Sequence, residues 1–194
     1  MTDSRDRLTE AMSALLWERG YAATSPNDVL ALAGVGQGSM YHYFAGKHDL
    51  AVEALRNTVK ARQGRATTLT AEGDPVDRLE QYLTLPRPGT KGCPVGRMTQ
   101  DPDVVADPEM IGLVAQDFDY IAKIGAEVIK EAIDAGELPT SVVPEELALT
   151  MSAVLQGGFV LARAHDSQEP MDAAIHGLIS LIDAARSSAE GVAK

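Results

Sequence analysis

Gln37, Tyr41, His42, Tyr43 and Lys47 fall within eleven residues of one stretch, GVGQGSMYHYFAGKHDL at positions 34–50, interleaved with Gly36, Gly38 and Ser39. An amide and an imidazole offer donors and acceptors to a base edge. Phenol hydroxyls and an ammonium suit phosphate oxygens, and small residues let a backbone approach a large partner. This is the chemistry of recognising a polyanion, not of breaking bonds. Of the chain's nine Phe, Trp and Tyr residues, three stand here beside His42 as Tyr41, Tyr43 and Phe44. Each group also has a plainer use. Tyr41 and Tyr43 could pack a helix junction, and Lys47 could be a solvated charge.

The flanking residues define the elements that would carry these groups. In DSRDRLTEAMSALLWERGY, Leu8, Met12, Leu15 and Leu16 form one apolar stripe, and Gly20 ends that helix. A second helix is signalled by Ser25 as N-cap, Pro26 at the first helical position and Asp28 in the first turn. Val29, Leu30 and Leu32 give it an apolar side, and Gly34 stops it. Gly36 caps a third short helix over 37–44, with Met40 and Phe44 turned inward. A longer amphipathic helix starts near Lys47 with Leu50, Val52, Leu55 and Val59. Two short helices joined by AGVG and covered by longer ones make the outline of a helix-turn-helix.

Charge is distributed to match. Residues 1–65 hold eight Lys/Arg against seven Asp/Glu, and residues 66–194 hold nine against twenty-one. The net charge of −11 therefore belongs to the C-terminal two-thirds, and the N-terminal segment is free to meet a polyanion. The first residues carry acids among bases and no apolar core of a signal peptide, and Leu147–Ala162 reads as too short and too polar to span a bilayer. A cytoplasmic protein with no membrane partner is expected. No phosphate-binding glycine loop, nucleophile elbow or paired His/Asp metal spacing occurs; His165 and Asp166 are adjacent, and His176 is isolated. The single Cys93 excludes an internal disulfide and a cysteine-based zinc site. No enzyme, cofactor or metal is expected.

Beyond residue 65 the pattern stays helical, with no strand alternation or repeat. Helices are expected over 76–85, 110–135, 144–165 and 170–185, with PRPGTKGCPVG as a true loop and a short turn between Pro102 and Pro108. The fold class is all-α with about nine helices: a helix-turn-helix domain over residues 1–48 and a helical bundle over 49–194. In the last two helices Leu147, Met151, Val154, Leu155, Phe159 and Leu161 go nearly all round one, and Met171, Ile175, Leu178, Ile179 and Ile182 stripe the other. One face is therefore expected to pair with a second copy, with Gly157 and Gly158 allowing close contact; a core pair within a monomer is the alternative.

The run ALLWERGY, SPNDVLALAGVG, GSMYHYF and GKHDL, in that order, resembles the DNA-binding domain of TetR-family transcriptional regulators. It departs from the family at Gly36, where Ser or Thr is usual, and at Gln37, often basic. The resemblance implies a regulator, in the main a repressor, that binds a palindromic double-stranded DNA operator as a homodimer and is released by a small-molecule effector. Gln37 and His42 would then read bases. Gly38 and Ser39 would permit close approach. Tyr41, Tyr43, Lys47, Ser25 and the neighbouring Thr24 would meet phosphates, unless Ser25 is only a cap. A ligand pocket among the fourth to seventh helices would draw on Tyr82, Met98, Met110, Val114, Phe118 and Ile121, with Arg97 as polar anchor; the methionines are also ordinary core filler. Cys93, between Lys91 and Arg97, resembles a cysteine that senses electrophiles or oxidants in one branch of the family; as a small buried hydrophobe it would sense nothing. The rival to DNA binding is a helical protein-interaction module.

Overall fold

The computed structural model of the chain describes residues 3–192. Nine α-helices occur among them: α1 (Ser4–Arg19), α2 (Pro26–Ala33), α3 (Gln37–Tyr43), α4 (Lys47–Arg65), α5 (Pro75–Thr84), α6 (Pro102–Val105), α7 (Pro108–Asp134), α8 (Pro144–Ala164) and α9 (Glu169–Val192). The described residues contain no strand, and the expected all-α class holds. The expected loop contains one short 3-10 turn, Gly89–Lys91, and a second, Gly96–Gln100, begins at its last residue. The residues fall into two compact units: those up to Arg62 with Cys93–Gln116, and Gln63–Gly92 with Asp117 onward.

In the first unit α1 buries Leu8, Thr9, Ala11, Met12, Leu15 and Leu16, the stripe read from sequence with its neighbours. The same unit buries Val29 and Ala33 of α2, Met40 of α3 and Leu50, Val52 and Leu55 of α4, all nearly inaccessible. One expectation fails in α2: Leu32 is 56% exposed. The helix is only eight residues long and buries the edge marked by Val29 and Ala33, one turn apart, so Leu32 falls outside it. A single surface leucine is ordinary.

In the second unit α5 buries Val76, Leu79, Tyr82 and Leu83. Arg78 is buried beside them and donates to the carbonyls of Leu69 and Ala71 and to Glu131. Arg186 of α9 ties Asp74 (2.8 Å), Asp77 (3.3 Å) and Glu137 (3.6 Å) together. The backbones of α8 and α9 come close at Gly158: a Cβ there would lie 3.1 Å from Met171 Cγ. By length and composition α8 is apolar enough to cross a membrane, which corrects the reading of this stretch as too short and too polar. Helix formation extends it to 21 residues. Its buried side chains, among them Met151, Leu155 and Phe159, are those of a helix packed in protein.

Gly158 and Gly112 predict opposite stability changes. Gly158→Ala meets both the side chain and the backbone of Met171 and should destabilise by about 1–3 kcal/mol. Gly112→Ala, inside α7 with nothing within 4 Å of the added carbon, should stabilise by about 0.5–1 kcal/mol. Thermal unfolding at matched protein concentration checks both.

Candidate nucleic-acid interface

The helix-turn-helix is built by local chemistry. Ser25 Oγ accepts the Asp28 N–H at 3.2 Å while the Asp28 carboxylate accepts the Ser25 N–H at 2.9 Å, a reciprocal capping box that starts α2. The Ser25 hydroxyl also donates to Asp28 at 2.7 Å. These bonds hold the Asp28 carboxyl below its usual value. At the other end Gly34 adopts the left-handed conformation (φ 63°, ψ 40°). The N–H of Val35 bonds to the carbonyl of Leu30 at 3.2 Å, and the chain turns sharply into α3.

α3 has seven residues, and its N-cap Gly36 makes no side-chain capping bond. Met40 is fully buried and Phe44 nearly so, which fixes the inner side of the helix as expected. The outer side presents Gln37, Gly38, Tyr41 and His42 to solvent, with Ser39 half-buried. Tyr41 is 55% exposed. The His42 ring stands edge-on to Tyr43 at 4.7 Å between centroids. An amide, an imidazole and a phenol therefore share one exposed surface of a short helix, the arrangement that major-groove readout requires.

Apart from the exposed Tyr41, the groups expected at phosphates already make internal bonds. Tyr43 is half-buried and its hydroxyl donates to Asp3 at 3.2 Å; that bond, and then the carboxylate charge, raise the phenol's pKa. Lys47 Nζ donates to the carbonyl of Tyr21 at 2.7 Å and lies 3.9 Å from the centre of its ring. Burial pushes this ammonium below the ordinary lysine value, against Asp103 and Asp101, which pull it upward. Lys47 has three donors, and the bond to Tyr21 uses one. Thr24 is buried and donates to the carbonyl of Gly20 at 2.7 Å, an internal bond.

Sequence reading missed the contacts that join distant residues around this surface. Arg7 of α1 donates to the carbonyl of Gly34 at 3.0 Å. Asp101 caps α6 through the N–H groups of Asp103 (3.1 Å) and Val104 (3.4 Å). Its other oxygen accepts the N–H of Ala22 at 2.9 Å, in the turn between α1 and α2. His48 pairs with Asp107 at 2.7 Å and Arg56 with Glu109 at 2.7 Å, tying α4 to the start of α7. No local periodicity signals partners 27 to 79 residues apart.

The residues expected around an effector divide between the units. Met98, Met110 and Val114 are buried and Arg97 half-buried in the first. Tyr82 and Ile121 are buried and Phe118 half-buried in the second. The second unit also has an open cleft of about 390 Å³ lined by Leu85, Pro86, Arg87, Met171 and Ile175, with His176 at its edge; it uses none of the seven. Cys93 is buried, and its Sγ accepts the N–H of Gly96 at 3.2 Å, closing a turn. Among the described residues no cluster of His, Cys, Asp and Glu is placed to hold a metal ion.

A short exposed helix set behind a left-handed glycine turn, with an amide, a phenol and an imidazole outward, has the outline of a helix-turn-helix. The family model described as "Bacterial regulatory proteins, tetR family" matches residues 8–54, and that for the "Tetracyclin repressor-like, C-terminal domain" matches 75–178. The chain belongs to the TetR family and is a ligand-responsive, DNA-binding transcriptional regulator. It is 25% identical over 183 residues to the HTH-type transcriptional regulator YxaF of Bacillus subtilis, covering 87% of this chain and 90% of that one. It is 26% identical over 175 residues to the HTH-type transcriptional repressor DhaR of Mycobacterium sp. strain GP1, covering 88% of each. A TetR transcriptional regulator from Chloroflexus aurantiacus superposes with a TM-score of 0.84 at 25% identity, over 92% of this chain and 93% of that one. The reduced form of NemR from E. coli shares the fold, with a TM-score of 0.78 at 23% identity over 91% and 95%.

The Asp28 box predicts an acid signature. A carboxyl whose pKa is depressed by folding stabilises the fold above its unfolded pKa, and that gain is lost as pH falls through the lower, folded value. Asp28→Ala should therefore be less stable than wild type at about pH 6, with the gap closing below about pH 4. Chemical denaturation across that range measures it; a gap that is constant with pH removes the carboxylate from the cap.

Proposed function

We propose that two copies of the chain bind a palindromic operator as a repressor, each α3 entering one major-groove half-site, and that a small-molecule effector releases the DNA. The observation that carries the reading is the pair Gly36 and Gly38. Neither has a positive φ, and a Cβ at either would meet nothing within 4 Å. Glycine there weakens a seven-residue helix by about 1 kcal/mol at Gly38 without serving any internal contact. Bare backbone on an exposed helix suits a partner that comes close from outside, as a groove wall does.

Gln37 and His42 read base edges in this scheme. Tyr41, 55% exposed, meets phosphate through its hydroxyl. Tyr43 and Lys47 meet phosphate by exchanging or sharing the contacts to Asp3 and Tyr21, and Ser25 by exchanging the bond its hydroxyl makes to Asp28. Residues 1–48 carry the DNA-binding role and 49–194 the effector and dimer roles. Tyr82, Phe118 and Ile121 are offered as apolar effector contacts of the second unit. Gene regulation in the cytoplasm, without catalysis, is the complete activity in this reading.

Dimerisation is assigned to the outer faces of α8 and α9. Leu149 is 65% exposed and Leu181 71%, with Val160 and Leu161 also exposed; Gly157 and Gly177 have open space beside them. Four large apolar side chains open to water on two adjacent helices call for a cover. Met151, Leu155 and Phe159 point into the unit instead, so the interface belongs to the opposite side of α8. Leu181→Glu should give a monomer in sedimentation at about micromolar concentration while keeping helical content. A wild-type monomer at that concentration contradicts the two-fold reading.

The DNA roles separate in a binding experiment on an operator selected from random duplexes. Gln37→Ala should relax preference at particular base pairs, at about 1–3 kcal/mol per half-site. Lys47→Ala should weaken all sequences equally and lower the salt slope by about one per half-site. Identical sequence profiles and salt slopes for the two variants would show the assignment of roles to be wrong.

A further inference from the structure

The start of α1 holds both the turn that leads into α3 and the last residue of α3. Arg7 Nη2 donates to the carbonyl of Gly34 at 3.0 Å, in the turn that launches α3. Four residues earlier, Asp3 at the head of α1 accepts the hydroxyl of Tyr43, the last residue of α3, at 3.2 Å. Between them Arg5 reaches Glu53 of α4 at 2.8 Å and lies 5.6 Å from the centre of the Phe44 ring. The N-cap and first turn of α1 thus contact the α2–α3 turn at Gly34, the last residue of α3 and the residue just after it.

The need for such a hold follows from α3 itself. A helix of seven residues is far shorter than one that is stable alone in water. It starts on an uncapped glycine and carries a second glycine in its first turn. Met40 anchors its middle to the core; its ends depend on neighbours. The Gly34 carbonyl lies at the C-terminal end of α2, where the dipole favours a cation, and the guanidinium supplies both charge and donor.

We propose that Arg7, seconded by Asp3, is a positioning residue for DNA recognition: it orders α3 before DNA arrives and contributes to specificity without reading a base. The inference rests on the reading of α3 as the base-reading helix. Specific binding needs α3 in its final geometry, whereas non-specific binding is chiefly phosphate attraction. Loss of the hold therefore acts selectively on the cognate sequence, because α3 must then be ordered during binding. Arg7 is exposed and its bond is a surface one, so its removal leaves the fold intact.

The test compares full-length wild type, Arg7→Ala, Arg7→Lys and Asp3→Asn on a selected operator and on a scrambled duplex over a range of salt. Arg7→Ala should lower operator affinity by about fivefold to tenfold and leave the scrambled duplex and the salt slope unchanged. Arg7→Lys, which keeps one cationic donor, should recover part of the loss. Amide exchange in the free protein should quicken across residues 37–43 in Arg7→Ala and, more weakly, in Asp3→Asn, with α4 unaltered. Equal weakening on both duplexes with a salt slope reduced by about one per half-site would make Arg7 a phosphate contact and overturn the proposal. Unchanged operator affinity or unchanged exchange in α3 would overturn it as well. If wild type itself shows no preference for any duplex, the failure lies with the DNA-reading role of α3, and the exchange measurement still decides whether Arg7 orders the helix.

Discussion

A seven-residue helix with glycine at its cap and in its first turn cannot hold its own shape, and α3 is such a helix. The rest of the first unit follows from that constraint. α2 must end abruptly at Gly34 so that α3 can start at a defined angle. Met40 and Phe44 must be buried to seat one side of α3. The free side can then be given wholly to a partner. Sequence features that weaken the helix and features that expose it coincide, and both suit a backbone that has to approach a groove wall. Stability is supplied from around the helix rather than from within it.

The surroundings are joined by long-range polar contacts as much as by the apolar core. Asp101 serves two elements with one carboxylate, capping α6 with one oxygen and holding the α1–α2 turn with the other. The tie is tight: a Cβ on Gly20 would lie 2.7 Å from that second oxygen. Tyr21, in the same turn, receives Lys47 from the start of α4. His48 and Arg56 then bond α4 to Asp107 and Glu109. Residues 93–116 are thereby built into the same compact unit as the helix-turn-helix. That segment bonds directly to the turn between α1 and α2 through the Asp101 carboxylate.

The legible parts of the fold were those written locally. Ser25, Pro26 and Asp28 announce the start of α2, and the structure realises all three as a capping box. Gly34 takes the left-handed turn that its position implied, and Met40 and Phe44 are inward. Long-range partners were not legible. Lys47 reads as a free phosphate ligand until Tyr21, 26 residues earlier, is seen beneath it, and Tyr43 until Asp3 is found at its hydroxyl. In α8 and α9 the composition showed more apolar surface than one core uses, but not which side was spare. Helical geometry turns Phe159 inward and leaves Leu149 and Val160 outside. Gly158 is filled by Met171 of the same chain, while Gly157 remains open.

The proposed recognition of an operator requires α3 to lie in the major groove. Methylation of guanine N7 probes that groove, and methylation of adenine N3 probes the minor groove, so one footprint on a selected operator distinguishes them. The predicted result is N7 interference in two patches about one helical turn, ~10 bp, apart, related by a two-fold axis and diminished at particular guanines or their neighbours by Gln37→Ala. Interference confined to adenine N3, or a single patch with no two-fold partner, would contradict it.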